Sequence, residues 1–208
     1  NVMTPMSKIA IVQFKASTDK TKNLPKILRY IKQAARNHAD LCAFPEYMMF
    51  FTPTSQSAKQ VAQQAETING KFVSAISECA KQNSIIVVGT MLEKSKKKDR
   101  VYDTSFIVNK SGKIIGKYRK THLYDALGFK ESAKMVAGKT IPLQIKTSYR
   151  HDLLPNGDNS LICFLHSKKR DESITILFLM GLSSLKKSKS DIGTQNNSNA
   201  INNSAIEY

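Results

Sequence analysis

Apolar positions along this chain change their spacing several times, and each change marks an element. Lys8 to Phe14 is nearly continuous in Ile, Ala, Val and Phe, which predicts a first buried strand. From Asn23 to His38 the apolar residues Leu24, Ile27, Leu28, Ile31, Ala34 and Ala35 recur at helical spacing, with Pro25 placed in the first turn. A second strand follows at Leu41 to Phe44. Ser57 to Ile68 suits a polar helix. Phe72 to Asn83 suits another, with Phe72, Ala75, Ile76, Cys79 and Ala80 on one face. Ile85 to Thr90 is apolar and β-branched, a third strand. Arg100 to Asn109 and Lys113 to Tyr118 flank Lys110-Ser111-Gly112, a hairpin signal. The order strand, helix, strand, helix, strand and then hairpin predicts an α/β layered domain.

After Thr147 the pattern loosens. Tyr149 to Ser160 is polar and contains Pro155, Asn156 and Gly157, as a loop would. Ser160 to Leu165 and Ile174 to Leu182 are strand candidates. From Ser183 the chain is rich in Ser, Lys and Asn, and Thr194 to Ser204 is low in complexity, so residues 183–208 are expected to be a disordered tail. No internal repeat is present in the sequence.

Composition adds little to the fold and more to the setting. Within 208 residues there is room for one domain with a real core. Net charge is +16, from 32 Lys and Arg against 16 Asp and Glu. The cations are dispersed, and the clusters Lys96-Lys97-Lys98 and Lys168-Lys169-Arg170 lack the interleaved aromatics of a base-stacking platform. Specific nucleic-acid binding is therefore not expected. Cys42, Cys79 and Cys163 form an odd set without paired spacing, which favours a reducing, cytoplasmic setting over a disulfide framework. No apolar run approaches the ~20 residues of a membrane span, and no signal peptide is evident. Residue 1 is Asn, which suits a fragment or a start at Met3 or Met6.

Three segments carry candidate chemistry. In Ala39-Asp40-Leu41-Cys42-Ala43-Phe44-Pro45-Glu46-Tyr47 an apolar strand runs into a proline and then presents a carboxylate. A carboxylate at a strand mouth can be tuned to move protons; the same Glu also suits the start of a surface loop. Downstream, Gly116-Lys117-Tyr118-Arg119-Lys120-Thr121-His122-Leu123 ends a strand with several cations, one of which can enter a cleft while its neighbours face water. Ala126 to Ser132 is a loop containing a second carboxylate candidate, Glu131. The four His residues show no metal-ligand spacing.

Taken in order, the strand Ile9 to Phe14, Phe44-Pro45-Glu46, Tyr118 to Leu123 and Phe129 to Ser132 resemble the nitrilase superfamily of carbon-nitrogen hydrolases, particularly its amidase branch. The resemblance is close from Lys8 to about Thr147. It implies an α-β-β-α sandwich, a carbon-nitrogen hydrolase domain over 6–182, and a homodimer. It also implies a Glu-Lys-Cys mechanism on a small amide, such as a dicarboxylic acid monoamide, with a thioester intermediate, ammonia release and no cofactor or metal. Glu46 would match the general base, Lys120 the oxyanion-stabilising cation, and Glu131 a supporting carboxylate.

The match fails where the nucleophile should stand. Leu161-Ile162-Cys163-Phe164 supplies a candidate, Cys163, after a suitable apolar approach, but Leu165 to Arg170 is unlike the family. Cys42 and Cys79 read as small core residues. Codons for Tyr149 to Leu154, read one nucleotide later, can encode Ile-Gly-Met-Ile-Cys-Tyr, which resembles the family's nucleophile strand. A shifted frame from Ser148 onward is thus one expectation. A chain with an incomplete sandwich, 45 residues after Cys163, is another. A third is a catalytically dead binding or partner subunit.

Overall fold

The computed structural model describes residues 8–126 and 128–140, together with the backbone of three strands at 145–150, 159–166 and 175–180. Residues 151–158 of the loop expected at 149–160, the cluster Lys168-Lys169-Arg170 and the tail from Ser183 lie outside the described residues.

A five-stranded mixed sheet organises the molecule, in the order β1-β2-β3-β4-β5. β1 (Ile9–Ile11), β2 (Leu41–Ala43) and β3 (Ile86–Lys94) are parallel; β4 (Val101–Val108) and β5 (Ile114–Arg119) continue the sheet antiparallel. Helix α1 (Lys20–Arg36) crosses from β1 to β2, and α2 (Ala58–Gln64) and α3 (Lys71–Gln82) lie between β2 and β3. Parallel neighbours require such crossovers, whereas β4 and β5 need just the turn at Asn109 to Lys113. In that turn Asn109 Oδ1 accepts from the amides of Ser111 and Lys113, and Gly112 takes φ +78°.

Two apolar clusters hold the layers. Ile27 and Ile31 of α1 and Phe72, Val73 and Ile76 of α3 pack with Cys42, Val87, Phe106 and Val108 on one sheet face. Leu41, Ala43, Ile86, Val88, Ile107 and Tyr118 form a second buried cluster. A short hairpin, β6 (Asp125–Ala126) with β7 (Phe129–Lys130), and a 3-10 turn at Glu131–Ala133 follow β5. Further on, β8 (Ile145–Arg150), β9 (Asn159–His166) and β10 (Thr175–Met180) pair antiparallel as β10-β9-β8. Those strands match two expected ones, and Tyr149 and Arg150, expected in a loop, belong to β8.

Several boundaries depart from the apolar pattern for local reasons. α1 starts at Lys20, because Asp19 caps it by accepting from the Thr21 amide at 2.9 Å. Pro25 consequently sits in the second turn and not the first. α2 stops at Gln64, short of Ile68, because Ala65 turns extended and Glu66 joins β3 through Leu92 O and the Lys94 amide. β3 runs four residues beyond Thr90, since it pairs with β4 from Val87 to Lys94.

Candidate active site

The site lies where β2 and β5 end. The ladder of β2 extends one residue past the strand, with the Phe44 amide donating to Val88 O at 3.0 Å. Pro45 has no N–H and ends it, and its carbonyl accepts from Thr90 Oγ1 at 3.2 Å. Glu46 follows directly, at the carboxyl end of a parallel strand, where open α/β sheets place their ligands. Tyr47 takes φ +60°, a left-handed conformation unusual for a bulky residue. That turn sends Met48, Met49 and Phe50 back into the core. The loop is tied from below by Asn23 of α1, fully buried, whose side-chain amide donates to Ser17 O and Met49 O and accepts from the Ser17 amide.

Strand alternation sorts the cations of β5. Arg119 forks onto Glu93 of β3 at 2.7 and 2.8 Å and lies over the Tyr102 ring, and Lys117 also reaches Glu93. These neighbours face partly to water as expected, with side chains 37% exposed for Lys117 and 34% for Arg119, and are ion-paired as well. Lys120 takes the opposite course, into the cluster. Its backbone is clamped on both sides: its amide donates to Asp103 O, and its carbonyl accepts from the Gly138 amide, both at 2.8 Å. Glu131 comes from the 3-10 turn, anchored by the Tyr124 amide on Oε2 at 2.7 Å and by the Tyr47 hydroxyl on Oε1 at 3.0 Å.

Lys120 Nζ lies 3.1 Å from Glu46 Oε1, 3.0 Å from each Glu131 oxygen and 4.0 Å from Asp103 Oδ2. The side chains are 4% exposed for Lys120, 8% for Glu46 and Asp103, and 12% for Glu131. One ammonium is therefore shared among three carboxylates in a nearly closed site. Burial alone would pull the Lys120 ammonium down; Glu46, Asp103 and Glu131 together outweigh it, and its pKa is raised. Burial, then the charges of Asp103, Glu46 and Glu131, pushes the Tyr47 hydroxyl up, so it stays a donor. Asp103 is raised well above the usual carboxylate range, first by burial and then by Glu46, against the pull of Lys120.

The structure brings Glu46, Lys120 and Glu131 together. Cys163 lies on β9, pairing with Phe178 of β10, and its side chain is outside the described residues. Cys42 and Cys79 are free, buried thiols of the core; burial pushes Cys42 up to about 12, which keeps it unreactive. Sequence reasoning missed Asp103 and Tyr47. Among the described residues no His, Cys, Asp or Glu group suited to a metal ion occurs, and no helix is long and apolar enough to cross a membrane.

The family model described as carbon-nitrogen hydrolase matches residues 8–150. A nitrilase homolog of Dictyostelium discoideum is 35% identical over 137 residues, covering 63% of this chain and 40% of its own length. An omega-amidase of Saccharomyces cerevisiae is 34% identical over 151 residues, covering 66% and 50%. The human omega-amidase is 29% identical over 136 residues, covering 63% and 48%. The chain thus spans about half the length of the curated relatives it matches. In fold it is similar to an amidase from Nesterenkonia sp., with TM-score 0.55 at 23% identity over 69% of this chain and 52% of the other. With the family model matching residues 8–150, the chain belongs to the carbon-nitrogen hydrolase family.

Proposed function

We propose that the chain takes part in hydrolysis of a small amide, with Glu46 as general base and Lys120 as the cation facing the developing oxyanion. Glu131 holds Lys120 in place, and Cys163 is the nucleophile. In this reading Glu46 takes the thiol proton as sulfur attacks the carbonyl carbon. Lys120 stabilises the oxyanion, and Glu46 returns the proton to the departing amine, which leaves as ammonia. Water then attacks the thioester, giving the acid and the free thiol. The observation that carries the reading is the burial of Lys120 between Glu46 and Glu131, an ion cluster too costly in desolvation to be expected of an ordinary strand end. The omega-amidase relatives favour a dicarboxylic acid monoamide as substrate, and a homodimer is the assembly that goes with the reading.

Ammonia release from a panel of small amides tests it. We expect Glu46→Gln, Lys120→Met and Cys163→Ala each to lower kcat/KM by about 10²–10⁴-fold, the range for loss of a positioned acid-base or oxyanion group. A thiol probe separates an enzyme from a catalytically dead binding subunit. Stoichiometric labelling of Cys163 near neutral pH that is lost in Glu46→Gln supports the enzyme. Slow labelling indifferent to Glu46 together with no ammonia overturns it.

A further inference from the structure

Asp103 is a buried carboxylate for which the Glu-Lys-Cys scheme has no use. It stands on β4 opposite Leu92 of β3, with its carbonyl held by the Lys120 amide. The groups that face it are Glu46 from the loop after β2, Lys120 at the end of β5, and Glu131 from the 3-10 turn. The hydroxyl of Tyr47 is spent on Glu131. Lys120 gives its hydrogen bonds to Glu46 Oε1 and to Glu131, and at 4.0 Å Asp103 is left out of them. Meanwhile Glu46 Oε2 is buried without any donor; among the described residues it shares that condition with Gln56 Oε1 alone. Asp103 Oδ2 and Glu46 Oε1 flank the same Lys120 Nζ, at 4.0 and 3.1 Å, so the two buried carboxylates are neighbours in the cluster. Two ionised carboxylates that close would leave an unpartnered buried acceptor and a repulsion, whereas one proton between them satisfies both.

We propose that Asp103 is a positioning residue for Glu46: its carboxyl O–H donates to Glu46 Oε2 and fixes the orientation in which Glu46 Oε1 meets Lys120. This rests on the proposed function for its catalytic consequence, but not for the proton itself. With all three carboxylates ionised the cluster would carry two surplus negative charges in a site closed to water; the shared proton reduces that to one. Burial and the Glu46 charge raise the Asp103 carboxyl in the same direction. The folded state therefore keeps a proton that the unfolded chain releases near pH 4, so stability falls as pH rises from there until Asp103 itself ionises. Above that point the hydrogen bond becomes a repulsion, and Glu46 loses its orientation.

Carboxyl carbon NMR of the full chain, with the Asp103 signal assigned through its own Cβ, tests the proton directly. We expect Asp103 to keep the chemical shift of a protonated carboxyl well above the pH at which a free Asp ionises. Glu46→Gln should lower the pH at which that shift is lost, with burial still holding it above the ordinary range. An Asp103 signal that titrates near pH 4 in the parent, indifferent to Glu46→Gln, overturns the proposal. In ammonia release, Asp103→Asn keeps a donor and cannot ionise, so the alkaline limb of the pH profile should disappear. Asp103→Leu removes the donor and should lower kcat on the order of tenfold with little change in KM. A shared proton without ammonia release would sink the amidase reading alone. Ammonia release with an ordinary Asp103, and an alkaline limb that survives Asp103→Asn, would sink this inference alone.

Discussion

Glu46 and Lys120 stand 74 positions apart in sequence, and Glu131 a further 11, yet one ammonium joins them. Such a cluster is balanced in a way that single substitutions expose. Removing one partner of a buried ion pair typically costs about 3–5 kcal/mol, because the remaining charge loses its compensation. Lys120→Met should therefore lower the urea-unfolding free energy at pH 7.5 by about 3–5 kcal/mol. The double variant Lys120→Met/Glu131→Gln should cost less than Lys120→Met alone, since it removes one of the stranded carboxylates. A deficit for the double variant equal to the sum of the single ones would show that the two groups do not interact. The sequence exposed these residues because each sits in a short motif at a strand end or turn. Asp103 had no such mark. In Val101-Tyr102-Asp103-Thr104-Ser105-Phe106 a lone Asp reads as the solvent-facing position of an alternating strand. Its burial arises from the end of β5 and the loop after β2 closing over it, an approach that no local pattern encodes. Tyr47 was equally silent, because its role depends on a left-handed turn and on a carboxylate 84 residues away.

At the scale of elements, the end of β5 is where packing and chemistry meet. Gly138 crosses so close to Arg119 that a Cβ there would clash with the Arg119 carbonyl oxygen and lie 2.8 Å from its Cβ. Its amide at the same time holds the Lys120 carbonyl. The obstructing atoms are largely backbone, which cannot rotate away as a flexible side chain can. Gly138→Ala should therefore push the segment after the 3-10 turn off β5, at about 1–3 kcal/mol for an overpacked site. The displacement reaches Lys120 through its own carbonyl, so activity should fall further than stability does, read as a loss of kcat at a temperature where the variant is fully folded. Unchanged kcat with lowered stability would mean that the clamp serves the fold only. Elements of this kind were legible in outline. Hydrophobic spacing placed α1 and α3, which bury one regular face, and the first five strands, of which β2 and β3 are buried on both faces. β1, expected to be buried, leaves Ile9 and Ile11 exposed at the sheet edge. The spacing missed the start of α1 because capping by Asp19 lies outside the apolar pattern, and the β6–β7 hairpin because two-residue strands carry too few positions to show a period.

For the molecule as a whole, the net charge of +16 is the property least tied to the site. Much of it in the described residues lies on α1, where Lys22, Lys26, Arg29, Lys32 and Arg36 are exposed and no acidic residue occurs between Lys20 and Arg36. Lys20 alone of the six cations is drawn away, to Glu66 at 2.7 Å. A helix so charged attracts any polyanion by releasing its condensed counterions, without reading its sequence. The helix offers no exposed aromatic stripe for base stacking, since its one aromatic residue, Tyr30, is half-buried against Phe14 and under Arg29. Retention on immobilised DNA should therefore be sequence-independent and steeply salt-dependent, lost by about 0.2 M salt. Reversing Lys26 and Arg29 to Glu should reduce the slope of log affinity against log salt by about 2, at roughly 0.9 for each phosphate no longer neutralised. Thermal unfolding should move little, because exposed side chains away from caps and clusters contribute within about 0.5 kcal/mol. Retention that persisted at high salt, or that distinguished one sequence from another, would mean that the basic face recognises nucleic acid and is more than a solvated surface of a carbon-nitrogen hydrolase fold.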